Sequence, residues 1–133
     1  MSSIEELWRE NLELRTRVDE LERAGTVVRT SSEAITSTAL DGTILWWNAA
    51  AERLYLFTPG EAIGRSHLEI IPFERLTEHA DAVARALSGV PVILETRRRR
   101  QDGSQVVVRV LYSRLADEDG RATGFATMAH TLT

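Results

Sequence analysis

Cysteine is absent from this 133-residue chain. That removes disulfides, thiolate metal ligands, cysteine nucleophiles and any photochemistry that adds a cysteine to a flavin. Lysine is absent as well. All 16 basic residues are arginine, a compositional bias that carries no functional reading. No apolar run approaches the roughly 18–20 residues of a membrane-spanning helix. The amino terminus is acidic and amphipathic, the opposite of a secretory leader. The expectation is a cytoplasmic protein with no membrane association. A net charge of -4 leaves no broad basic face, so nucleic acid is not an expected partner, and Arg97–Arg100 is too short to reverse that. There is no Gly-rich phosphate loop, no HExxH and no GxSxG, and His67, His79 and His130 show no metal spacing. No nucleophile or base can be named, so no enzymatic activity is expected. What is present, 43% apolar and 27% charged residues, is the balance of a globular domain with a real core.

The first segment, residues 1–24, has no Pro or Gly and is rich in helix formers. Ser3 is placed to cap it, and Glu5 and Glu6 suit the positive end of a helix. Ile4, Leu7, Asn11, Leu14, Val18 and Leu21 recur with spacings 3, 4, 3, 4, 3, an a/d seam with Asn11 at an a position. In a parallel pair Glu10 faces Arg15 and Arg17 faces Glu22, both of opposite sign. These residues are the expected interface of a parallel coiled-coil homodimer. The alternative is an amphipathic helix lying on its own domain, with Trp8 and Leu12 off the seam and free to rest on a sheet.

Residues 25–133 read as one α+β domain. "AITSTAL" and "TILWWN" flank the turn signal Asp41-Gly42. In the second strand Ile44 and Trp46 are expected on one face and Leu45 and Trp47 on the other. Both faces are apolar, so something must cover each. Asn48 is placed to cap the helix "AAAERLYLF", and Thr58-Pro59 opens a second, short helix. "FERLTEHADAVARALSG" is the clearest helix, with Leu76, Ala80, Val83 and Leu87 as its expected apolar stripe. Two further hairpins follow, around Asp102-Gly103 and in "ADEDGRA". The order ββαααβββ implies a five-stranded antiparallel sheet with its helices on one face.

This order and its motifs resemble a PAS domain. "DGTILWWNAAAERLYLFTPGEAIGRS" is similar to the family's opening pattern of DG turn, strand ending in Asn, Ala-rich helix, and Thr-Pro-x-Glu helix ending in Ile-Gly. "RRQDGSQVVVRVLYSRLADEDGRATGFATMAHTLT" is similar to its closing strands. There are two departures. The Gly-Tyr usual after the first helix is Leu56-Phe57, and the Asp of the final D-I-T-like motif is Thr131.

The resemblance implies a sensory and dimerisation module of a signalling protein. A ligand or partner would alter the sheet, and the coiled coil would carry the change to an effector domain or partner protein. The helix of residues 1–24 is the expected cover of the outer sheet face. Trp46, Trp47, His79 and Leu94 are the expected cavity residues, with the choice of inward tryptophan left open. Two alternatives accompany this reading. One is a haem gas sensor. Haem-binding relatives carry their proximal His on the helix where "IPFERLTEH" places His79, and Leu94 stands where oxygen sensors have Arg. The other is an interaction adaptor with no small-molecule ligand. Non-covalent flavin is a weaker option. Arg97–Arg100 are expected to be solvated, pairing with acids of the first segment.

Overall fold

The computed structural model describes residues 33–132. The expected seam from Ile4 to Leu21, and with it the helix expected to cover the sheet, lies outside the described residues. Two strands open the domain, β1 (Ala34–Ala39) and β2 (Ile44–Trp47). The turn between them places Gly42 at φ 90°, and Asp41 Oδ1 accepts from the Thr43 N–H at 2.9 Å. Helices α1 (Ala49–Tyr55) and α2 (Pro59–Ala62) follow. Two 3₁₀ turns, His67–Ile70 and Phe73–Arg75, lead into α3 (Leu76–Leu87). Strands β3 (Val92–Arg99), β4 (Gln105–Ala116) and β5 (Ala122–Thr131) complete one sheet in the order β2-β1-β5-β4-β3, every neighbouring pair antiparallel. The expected fold class is the observed one for these residues.

The caps are those the residues dictate. Thr58 and Glu61 form a reciprocal capping box around α2. Asn48 does more than cap α1. Its Oδ1 accepts from the N–H groups of Ala51 (2.8 Å) and Ile35 (3.0 Å), and its Nδ2 donates to the Glu33 carbonyl at 3.0 Å. One side chain therefore fixes the helix start to the first strand. Asn48→Ala strips all three bonds, and we expect a loss of about 2 kcal/mol, read from the urea midpoint. An unchanged midpoint would show that water replaces them without cost.

At the other end of α1, Leu56 takes φ 64°, ψ 28°, the left-handed region. This is the position where the family pattern has Gly, so the departure noted in the sequence is a strained one. Its side chain is 42% exposed and contributes little packing. Leu56→Gly relieves the strain against a larger unfolded-state entropy, and the expected net gain is about 1 kcal/mol in the same titration.

The core lies between the helices and one sheet face, built from Trp47, Tyr55, Phe57, Ile70, Val108, Val110, Tyr112 and Phe125 among others. Two expectations about facing are corrected. A β-bulge between Ser37 and Thr38 breaks the alternation of β2, so Ile44 and Trp47 share the core face. Leu45 packs instead with Leu115 and Ala126 on the outer face, and Trp46, opposite Ser37, is buried on that side too. Trp47 is thus the inward tryptophan, its Nε1 donating to the Phe57 carbonyl at 2.9 Å.

Helix α3 is also rotated from its expected stripe. His79, Ala82 and Ala86 face the sheet, while Ala80 is exposed and Val83 and Leu87 lie at the margin. Small residues let the helix approach the sheet closely. Leu76 and Val83 pack, partly buried, against the core, and Val83 and Leu87 also border something other than the core.

Candidate functional site

That something is a groove of about 350 Å³ between α3, the β1–β2 turn and the His67–Ile70 turn. Val83 and Leu87 form one wall, Leu40 and Leu68 the other, and Phe125, His67 and His79 lie at its base. Leu40 and Leu68 are 58% and 49% exposed, so the mouth is apolar and open.

The two imidazoles are buried, at 1% and 5% exposure, and stack in parallel with ring centroids 5.2 Å apart. Each is tied to the sheet by a hydroxyl. Thr38 Oγ1 on β1 meets His67 Nδ1 at 3.1 Å, and the Tyr112 hydroxyl on β4 meets His79 Nδ1 at 2.6 Å. Behind Tyr112 stands Arg98, 1% exposed, whose Nη2 donates to the same hydroxyl at 2.6 Å and whose Nη1 donates to the Arg97 carbonyl at 3.0 Å.

The chain Arg98–Tyr112–His79 fixes its protons. A guanidinium can only donate. Burial pushes the Tyr112 hydroxyl up to about 12, so it keeps its hydrogen. The arrangement that leaves no hydroxyl hydrogen unpaired sends it to His79 Nδ1, so His79 carries its own proton on Nε2. Burial, reinforced by the Arg98 charge, lowers the His79 pKa to about 4. Burial, then the neighbouring His79 and Arg98, holds His67 well below the ordinary histidine range. Both rings are neutral at pH 7.

The family model described as the PAS fold matches residues 28–133. The chain belongs to the PAS family. Among solved structures, this PAS domain is similar to one from Colwellia psychrerythraea, at 22% identity and a TM-score of 0.72, covering 85% of this chain and 97% of that one. It is similar to a light-oxygen-voltage domain studied with a flavin analogue, at 16% identity and TM-score 0.68, covering 89% and 85%. The Drosophila melanogaster Cycle PAS-B domain, with bound ethylene glycol, aligns at 16% identity and TM-score 0.67, covering 74% and 99%. These likenesses show the fold. No curated protein matches the chain.

Of the four expected cavity residues of this PAS domain, only His79 lies at the groove. Leu94 packs against the edge of the core, Trp47 is sealed within it, and Trp46 is on the opposite sheet face. The surroundings of His79 do not fit haem. With Nδ1 receiving the Tyr112 hydrogen, Nε2 bears a proton and offers no lone pair to iron. One ring face is covered by His67, and Tyr112, Phe125 and Arg98 fill the space towards the sheet.

The residues that complete the site, His67, Thr38, Tyr112 and Arg98, were not assigned to it from sequence. For Arg98 a signal existed. It shares strand parity with Val92, Leu94 and Thr96, the apolar side of β3. Its neighbours behave as surface arginines in part: Arg99 and Arg100 donate to the Glu69 and Leu54 carbonyls, tethering β3 to the helical layer.

Proposed function

We propose that this PAS domain is the sensory and dimerisation module of a signalling protein, and that occupation of the groove beside α3 is its input. One observation carries the reading. The base of the groove is a pair of imidazoles, each hydrogen-bonded to a different strand, β1 through Thr38 and β4 through Tyr112. These strands flank β5 in the sheet. A ligand that displaces either ring pulls directly on the centre of the sheet. The change then passes to the heptad seam of residues 1–24, paired with a second copy, and on to an effector domain or partner protein. The module works by binding, not catalysis. Among the described residues no helix is long and apolar enough to cross a membrane.

The test is a small-molecule fragment screen on the full chain by amide NMR, repeated with Val83→Trp, which fills the groove. Binders should shift resonances on α3 together with Thr38 and Tyr112, and the variant should weaken them at least about tenfold. Binders that perturb only other surfaces, or that ignore the tryptophan, would overturn the reading.

A further inference from the structure

The charge behind the groove is unbalanced. Arg98 is buried, yet its partners are a phenol and a backbone carbonyl, both neutral. Among the described residues it makes no ion pair. Glu78, the acid that α3 brings to this region, acts on Tyr112 through its charge but is held by the Thr96 hydroxyl and by Arg75 at 3.3 Å, and it forms no ion pair with Arg98. A buried cation without a counter-ion is costly, and proteins seldom keep one without a use.

The donors at the groove's base point to the same missing group. Thr38, like Tyr112, has its hydroxyl hydrogen to place, and His67 Nδ1 is the acceptor beside it. Assigning the Thr38 hydrogen to His67 Nδ1, as the Tyr112 hydrogen is assigned to His79, puts N–H at Nε2 of both rings. His67 Nε2 is buried with no protein partner, and His79 is hydrogen-bonded through Nδ1. One buried, unmet donor and the stacked His79 ring lie at the base of an apolar groove, with a positive charge one hydroxyl behind His79. An amine would be repelled there. An alcohol would answer a donor but leave the charge as it was.

We infer that the groove takes a small amphipathic monocarboxylate, its apolar body along Val83 and Leu87 and its carboxylate at the His67–His79 end, supplying the negative charge that Arg98 lacks. The Arg98–Tyr112–His79 chain then becomes a polarised relay ending on the ligand, each bond strengthened by the next. This inference rests on the groove being the input site proposed above, and the experiment separates the two.

Hexanoate, 1-hexanol and hexylamine are titrated into the full 133-residue chain, with the imidazole resonances of His67 and His79 followed by NMR. Hexanoate should shift both and bind roughly tenfold or more tightly than 1-hexanol, with hexylamine weakest. Arg98→Met, which keeps the side-chain length, should bring hexanoate and 1-hexanol within about twofold. Should that variant not fold, Tyr112→Phe cuts the link between Arg98 and His79 and should shrink the preference likewise. Val83→Trp should abolish binding of both. Equal binding of acid and alcohol to the unaltered chain, or a preference that survives both variants, overturns the carboxylate while leaving the groove as a ligand site. Absence of binding by all three probes, or binding indifferent to Val83→Trp, overturns the groove reading and this inference with it.

Discussion

Gly124→Ala should cost this domain about 3 kcal/mol or more, enough to unfold much of a marginal population. Gly124 lies in β5 opposite Ala39 of β1 and Leu115 of β4. A Cβ built there collides with the carbonyl oxygen of Thr38 and sits 3.1 Å from Ala39 Cα. The obstacle is backbone on a central strand, which cannot rotate aside as a side chain could. Nor is the φ of this glycine unusual, so the effect is steric and not conformational. Urea denaturation followed by far-UV circular dichroism measures it. A loss below about 0.5 kcal/mol would mean that β1 and β5 separate there at little cost. Because Thr38 also holds His67, a milder shift of β1 should appear first as a change in the His67 environment.

Acid should weaken the fold well before the carboxylates are protonated. The folded pKa of His79, about 4, lies below its unfolded value of about 6.5. Between those limits the unfolded chain binds the additional proton, so stability is complete above about pH 6.5 and falls as pH drops towards 4. At about 1.4 kcal/mol per unit, His79 alone accounts for a loss of about 3 kcal/mol across this window. His67, shifted in the same direction, adds to it. Thermal melts from pH 7.5 to 4 should show the decline, and His79→Gln, which keeps an acceptor for Tyr112 but does not titrate, should flatten it. A stability profile level to pH 4.5 would show that the imidazoles take up protons without leaving their places.

Much of the fold was legible because its signals are local. Asp41-Gly42, the Asn48 cap and the Thr58–Glu61 box each act within a few residues, and each formed as the residues dictate. Facing was less legible, for two physical reasons. The β2 bulge depends on how Ser37 and Thr38 meet their partners across the sheet, which the strand's own alternation does not contain. In α3, Ala82 and Ala86 are too small to mark a stripe, and the larger Val83 and Leu87 mark its margin instead. The site was hidden for a related reason. Four consecutive arginines read as a solvated face, yet the parity of β3 sends one of them into the interior. His67 looked isolated because its partner Thr38 is 29 residues away, and the His79–Tyr112 contact spans 33.

The sheet order has a mechanical consequence. Ala34, at the start of β1, sits directly across from Ala129, near the end of β5. The start of β1 and the end of β5 therefore lie at one end of the same antiparallel pair. Forces that part Ala34 from Ala129 load this ladder from its end and open it one rung at a time, as a zipper. They do not shear all of its bonds together. A sheet stiffened through Thr38, which holds His67, resists that peeling from the opposite end.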